Sequence, residues 1–106
     1  MFKAVVLLAR NDAMTRDEFR AWIIGGHAPL VAQLPGLRGF MLNLVDNDDA
    51  PYDAVSEVWF ETHEAFEAAY ATQIGRAVAA DSLARLKTRI RLHVDEQAFV
   101  GGLGAP

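Results

Sequence analysis

The chain has 106 residues, 52% of them apolar and 23% charged, a composition typical of one globular domain rather than of a disordered segment. Its formal net charge is −4, and its ten Lys and Arg residues are scattered along the chain, which argues against nucleic-acid binding. The sequence contains no cysteine, so disulfides and thiolate chemistry are excluded, and a reducing cytoplasm is the expected location. No stretch approaches the ~18 apolar residues of a membrane span, so we expect no membrane partner.

The first part of the chain predicts a strand followed by a long helix. The segment Phe2–Ala9 carries Val and Leu on both alternating faces, which predicts a strand that is covered on both sides. Thr15 and Glu18 have the spacing of a capping box, in which each residue satisfies a free backbone N–H of the other. We therefore expect a helix over residues 16–33.

The rest of the chain predicts three strands and a second helical region. The strands are expected at Leu37–Val45, Ala54–Glu61 and Thr88–Val100. An acidic turn joins the first two of these strands. A second helix begins after Thr62, and Gly75 is expected to break it before it resumes.

This order, β-α-β-β-α-β, predicts an α+β domain of the ferredoxin-like class with a four-stranded antiparallel sheet. The domain is expected to span residues 1–100, and residues 101–106, which are rich in glycine, form a flexible tail. Two helices cover only one face of such a sheet, yet the first two strands are apolar on both faces. A soluble monomer rarely exposes so large an apolar patch, so the sequence predicts a homodimer joined through the second face.

His27 is the leading candidate for chemistry. It lies on the apolar stripe of the first helix and is flanked by Gly25, Gly26 and Pro29, which should kink or break the helix near residues 25–29. Such a break opens space beside a side chain, and a neutral imidazole in that space can act as a general base. A buried structural histidine bonded to a free carbonyl is the alternative.

Other residues suggest binding roles rather than catalysis. Asn43 and Glu57 are polar residues within apolar strands, and we expect them to hydrogen-bond across those strands, as a structural pair or as a substrate anchor. Four aromatic residues are candidate walls of a flat pocket for a small hydrophobic or aromatic ligand, or else plain core. They are Trp22, Phe40, Trp59 and Phe60.

Cofactor and metal signals are weak. The remaining histidines, His63 and His93, have no partner at a convincing metal-ligand spacing, so we predict no metal site; His63 is expected to be solvated and His93 to pair with Asp95. The sequence contains no phosphate-binding glycine loop, no flavin or nicotinamide fingerprint and no Ser-His-Asp motif. We therefore predict no cofactor.

The combination of motifs resembles the EthD-domain family over nearly the whole chain, from about residue 2 to residue 100. The matching segments are TRDEF at 15–19, Trp22, HAPL at 27–30, PGLRGF at 35–40, SEVWF at 56–60, EAFEAA at 64–69 and GRAVAAD at 75–81. The resemblance implies a dimeric α+β barrel, in which two sheets pack face to face with the helices outside.

The resemblance also implies a choice of functions. Relatives in the wider superfamily include lactone isomerases, polyketide cyclases, dehydratases and monooxygenases that need no cofactor. One hypothesis is a cofactor-free isomerase, lyase or cyclase with His27 as the acid/base; others are a non-catalytic module that assists a monooxygenase system, and a cofactor-free monooxygenase. In isomerase-like relatives a tyrosine often occupies the position of Phe40, so here a hydroxyl is missing.

Overall fold

The computed structural model describes residues 1–101, so all of the tail predicted at 101–106 except Gly101 lies outside the described residues. The described part alternates strands and helices in the predicted order. The elements are β1 (Phe2–Arg10), α1 (Arg16–Trp22), a π-helical turn (Ile23–His27), α2 (Ala28–Val31), β2 (Leu37–Leu44), β3 (Ala54–Phe60), α3 (His63–Tyr70), α4 (Gln73–Arg85) and β4 (Leu86–Val94).

The four strands form one antiparallel sheet in the order β2-β3-β1-β4. Each helical region links two strands that are consecutive in the chain but separated by one strand in the sheet, β1 to β2 and β3 to β4, which is the arrangement of the ferredoxin-like fold. The predicted fold class is therefore confirmed. Within residues 1–101, no helix has the length and apolar character needed to cross a membrane.

The helices cover one face of the sheet. The even-numbered residues of β1 point toward them: Ala4 and Leu8 are buried and belong to the two parts of the core. Phe19, Ile23 and Phe60 are the largest fully buried side chains of this layer, because the apolar stripe of the first helical region packs on the apolar alternation of the strands. The cleft described below lies in the same layer.

The first helical region is continuous, although the sequence predicted a kink or break. Thr15 and Glu18 form the predicted capping box. Over Ile23–His27 the helix widens to a π turn, in which the Ala28 N–H donates to the Ile23 carbonyl. Pro29 has no N–H to donate to the carbonyl four residues earlier, and a widened turn absorbs this defect without ending the helix.

Two predicted boundaries are wrong. The second helical region is interrupted at Ala71, and Thr72 caps α4 with its side chain, so Gly75 lies inside α4 rather than at a break. The last strand ends at Val94 instead of residue 100, because Val94 pairs with Lys3 and β1 begins only one residue earlier. A strand at the sheet edge has no partner beyond the end of its neighbour.

The second face of the sheet is apolar and open. Residues directly opposite one another in an antiparallel sheet share a face, and the pairs Leu7–Ile90, Val5–Leu92 and Lys3–Val94 all point away from the helices. Several large apolar side chains on this face are exposed: Met41, Ile90, Leu92 and Val94. We call the side of the sheet opposite the helices the open face.

One ionic network crosses the open face. Lys3 Nζ lies 2.8 Å from Glu57 Oε1 and 2.7 Å from Glu96 Oε2, and Lys3 also lies over the Trp59 ring. Asn43 donates to Glu57 over 3.0 Å, the cross-strand hydrogen bond expected from the sequence. The hydrogen bond from Lys3 lowers the pKa of Glu57 despite its partial burial.

Glu57→Gln should therefore reduce stability at neutral pH more than in acid. A lowered pKa means that Glu57 contributes stability above the ordinary glutamate pKa, and that this contribution is lost as the pH falls through the lowered value. Urea unfolding of both proteins at a series of pH values from 7 down to about 3 measures the difference. Glu61→Gln is the control, because its pair with Arg38 is exposed and should matter little. Equal losses in the free energy of unfolding for Glu57→Gln and Glu61→Gln at every pH would contradict the expectation.

Candidate functional site

His27 lies at the end of the π turn with its ring turned into the helix–sheet layer. The side chain is only 7% exposed, and its Nδ1 lies 2.9 Å from Asp81 Oδ2. A carboxylate only accepts hydrogen bonds, so this contact places an imidazole proton on Nδ1, and in the neutral ring Nε2 is then an acceptor. Asp81 thereby orients the ring and can stabilise the imidazolium that forms when Nε2 takes up a proton.

Trp22 holds Asp81 in place. The indole Nε1 donates to both carboxylate oxygens of Asp81, at 3.2 and 3.1 Å, and the Trp22 and His27 rings are 4.8 Å apart. Trp22 was predicted as a wall of the pocket, and the structure places it beside His27. Its hydrogen bonds restrict Asp81 to one orientation toward the imidazole.

Ser82 is a third polar residue of the site, beside His27 and Asp81, and the sequence did not reveal it. Its Oγ lies 3.4 Å from His27 Nε2, so an aspartate, a histidine and a serine stand in line although no Ser-His-Asp motif is recognisable in the sequence. The 3.4 Å separation exceeds the 2.6–3.2 Å typical of an activated nucleophile and its base. We therefore read Ser82 as a neutral hydroxyl that contacts the base, rather than as an attacking group.

A small cleft adjoins the imidazole between the helices and the sheet. It is closed by the buried His27 and Ser82, and it opens where Phe40, Tyr70 and Arg89 are partly exposed. Its volume is about 30 Å³, space for a few water molecules and far below the ~300–1,000 Å³ of a ligand pocket. The flat pocket expected from the aromatic residues would need the larger size to hold a ligand, so the chain alone does not contain a preformed pocket for a whole substrate.

Tyr70 brings a hydroxyl to this cleft. The residue comes from the end of α3 and lies beside Phe66, with the rings 5.0 Å apart. Burial raises the pKa of the Tyr70 phenol, while the positive charges of Arg91 and Arg89 act in the opposite direction. The phenol is therefore protonated at neutral pH and can donate a hydrogen bond. A tyrosine is thus present among the residues that line the cleft, although it comes from α3 and not from position 40.

The other predicted binding residues lie elsewhere. Phe40 lines the cleft, but Asn43, Glu57 and Trp59 belong to the open face, because they alternate with the residues that face the helices. Phe60 faces the helices and is fully buried in the core without lining the cleft. We place these last four residues outside the candidate site.

The two remaining histidines form a separate cluster. The His63 and His93 rings are 5.0 Å apart, and both pack against Phe2 and Phe66. The expected pair of His93 with Asp95 does not occur among residues 1–101. His63, which was expected to be solvated, has its Nε2 3.0 Å from Glu67 Oε1. Within the same residues, no group of three or more potential metal ligands is found.

A sheet of this order with a histidine–aspartate pair between sheet and helices defines an α+β ferredoxin-like protein with a candidate acid/base site. The EthD domain model matches residues 11–86, and the chain belongs to the EthD family. The match contains His27, Phe40, Tyr70 and Asp81. No curated protein matches the sequence.

Solved structures share the fold. An ethyl tert-butyl ether D (EthD) family protein from Bacillus halodurans superposes with a TM-score of 0.79 at 21% identity, covering 92% of this chain and 100% of that one. A dimeric ferredoxin-like protein of unknown function from Thermobifida fusca gives 0.71 at 22% identity, covering 88% of each chain. A variant of SnoaB, a cofactor-independent oxygenase from Streptomyces nogalater, gives 0.69 at 18% identity, covering 93% and 95%.

Proposed function

We propose that this protein is a cofactor-free acid/base enzyme, an isomerase, lyase or cyclase acting on a small aromatic, polyketide or lactone-like substrate. The observation that carries the proposal is the Asp81–His27 pair, with Nδ1 occupied at 2.9 Å and Nε2 directed at a cleft. A histidine oriented by a carboxylate at the edge of an apolar cavity is a common form of general base.

The proposed chemistry is a proton transfer at carbon. His27 Nε2 removes a proton from a carbon next to a substrate carbonyl, and the electron pair of that C–H bond moves to the carbonyl oxygen as an enolate. Tyr70 donates a hydrogen bond to that oxygen, and Asp81 stabilises the imidazolium. Where a C=C bond adjoins that carbon, the enolate is conjugated with it. Return of a proton from His27 to the far carbon of that bond shifts the double bond and re-forms the carbonyl, which completes an isomerisation without an outside oxidant or reductant.

Two alternative functions are each supported by one observation. The cleft of about 30 Å³ fits a non-catalytic dimeric module that assists a monooxygenase system, because such a module needs no substrate pocket. The likeness in fold to the oxygenase SnoaB supports a cofactor-free monooxygenase, although a shared fold does not fix the reaction.

Solvent exchange separates these candidates. The purified protein is incubated in D₂O with an unsaturated γ-lactone and, separately, with a polyphenolic ketone, and NMR follows the carbon next to the carbonyl while an electrode follows dissolved oxygen. The acid/base proposal expects C–H to C–D exchange or isomerisation without oxygen uptake. Oxygen uptake supports the monooxygenase instead, and no change in either substrate supports the accessory module.

We also propose that the protein is a homodimer joined through the open face. Its apolar side chains, Ile90 and Leu92 among them, are exposed in the single chain, and a stable interface that replaces core should bury at least ~1,200 Å². Light scattering is expected to give twice the chain mass of 11.6 kDa. Leu92→Glu should shift the protein toward monomer, because it places a charge within the interface. Leu83→Glu, an exposed apolar site on α4, is the matched control; a folded wild-type monomer at micromolar concentration contradicts the proposal.

A further inference from the structure

Two arginines on the helix-facing side of β4 have no use in the chemistry described so far. Arg89 pairs with Leu8 and Arg91 with Val6 across the sheet, and both of these β1 residues face the helices. Their positions would suit apolar residues in a sheet covered by helices. Arg89 is half-buried there and Arg91 is exposed, and partial burial of a guanidinium is costly to the extent that nothing compensates its charge.

Neither guanidinium forms an ion pair with a carboxylate in the described range 1–101. Arg91 lies over the rings of Phe66 and Tyr70, at 5.0 and 5.2 Å from their centroids, so aromatic faces compensate part of its charge. Burial and then the nearby charge of Arg89 lower the pKa of the Arg91 guanidinium. The pair therefore leaves net positive charge at this end of the helix–sheet layer.

Arg89 brings that charge to the cleft. It lines the same cavity as His27, Ser82 and Tyr70, so one small space contains a base, two hydroxyls and a guanidinium. Arginine presents a planar set of donors that fits a carboxylate in two parallel hydrogen bonds. A cavity of about 30 Å³ matches a polar head group better than a ring, which would lie at the open end beside Phe40.

We propose that the cleft recognises a carboxylate on the substrate, held by the Arg89 guanidinium with the Tyr70 hydroxyl beside it. This inference deepens the proposed function, since the carboxylic acid would be the substrate on which His27 acts. Arg89 is then a specificity residue: it selects acids over neutral molecules of the same shape and sets the distance of the reacting carbon from Nε2.

The test uses sodium benzoate and its neutral analogue benzamide, with binding followed by shifts of amide resonances in NMR titrations. The wild type should bind benzoate at least about tenfold more tightly than benzamide, and Arg89→Gln should remove this preference. Arg85→Gln removes the same charge from the exposed end of α4 and should preserve the preference. Equal affinity for the two compounds, no benzoate binding by the wild type, or equal losses in the two variants would each overturn the inference.

Two further variants separate this inference from the others. His27→Asn should retain the preference for benzoate over benzamide, because binding needs no proton transfer. Loss of turnover in His27→Asn therefore tests the acid/base proposal, whereas the benzoate preference tests carboxylate recognition, and either can fail without the other. Arg89→Met keeps the length of the side chain and removes its repulsion with Arg91, so its melting temperature should equal or exceed that of the wild type. A melting temperature several degrees lower would assign Arg89 a structural role and overturn the inference.

Discussion

His27→Asn is expected to lower turnover by about 10²–10⁴-fold while the protein stays folded, the range that a general acid/base usually contributes. The asparagine amide can still donate to Asp81 but cannot take up a proton near neutral pH. Asp81 also keeps its hydrogen bonds from Trp22, at 3.1 and 3.2 Å, so the substitution leaves no carboxylate without a partner. Initial rates with the substrate identified by solvent exchange, together with a thermal melt, measure both effects.

His63→Asn is the matched control, because this histidine is about half exposed and lies outside the cleft; its rate should be unchanged. The turnover rate of Asp81→Asn should lie between those of His27→Asn and His63→Asn, since the amide can favour the wrong tautomer of His27. If His27→Asn melts several degrees lower and its folded fraction turns over substrate normally, His27 is a structural residue. The same result would favour the accessory-module function.

Gly75→Ala is expected to cost about 1–3 kcal/mol in the free energy of unfolding. A Cβ at this position would lie 2.3 Å from Tyr70 Cα and 2.4 Å from the Ala69 carbonyl oxygen. These are backbone atoms at the end of α3, which cannot rotate away, so the α3–α4 junction must shift. Because Tyr70 lines the cleft, the shift should also weaken benzoate binding. Urea unfolding at one fixed protein concentration measures the loss.

Gly25→Ala provides the opposite case. A Cβ at Gly25 meets no atom within 4 Å, and alanine in a helix is favoured over glycine by about 0.5–1 kcal/mol. We therefore expect this variant to be as stable as the wild type or slightly more stable. Similar losses in the free energy of unfolding for Gly25→Ala and Gly75→Ala would show that helix geometry, rather than the close approach at Gly75, governs the stability change.

The sequence by itself determined the fold class. Alternating apolar residues in Phe2–Ala9 predicted a strand, and Thr15 with Glu18 predicted the start of the first helix; the structure contains both. Cover on the second side of that strand stays a prediction. These signals depend on neighbours within a few residues, so they can be read without knowing the tertiary structure. A helix defect beside His27 was also predictable, since Pro29 lacks an N–H wherever it occurs, but the structure accommodates it as a π turn rather than as a break.

The ends of the strands and helices, and the sheet face that each strand residue occupies, depended on partners distant in the chain. The last strand ends at Val94 because β1 begins beside it, and nothing within the segment itself marks that point. Glu57 and Trp59 belong to the open face because their register with β1 places them there, and a shift of one residue would have reversed the assignment. The break before α4 falls at Ala71 because Thr72 captures the Gly75 N–H.

The site was visible in the sequence only as one residue, His27. Asp81 is 54 positions away and Ser82 is 55, and only the packing of α4 beside the π turn brings them to its two ring nitrogens. One available signal was the polar pair Asp81–Ser82, which interrupts an otherwise small and apolar helix segment. Tyr70 and Arg89 reach the cleft from a helix end and an edge strand, which local periodicity cannot relate to one another. Periodicity reports which face a residue occupies, whereas a site requires knowing which faces meet.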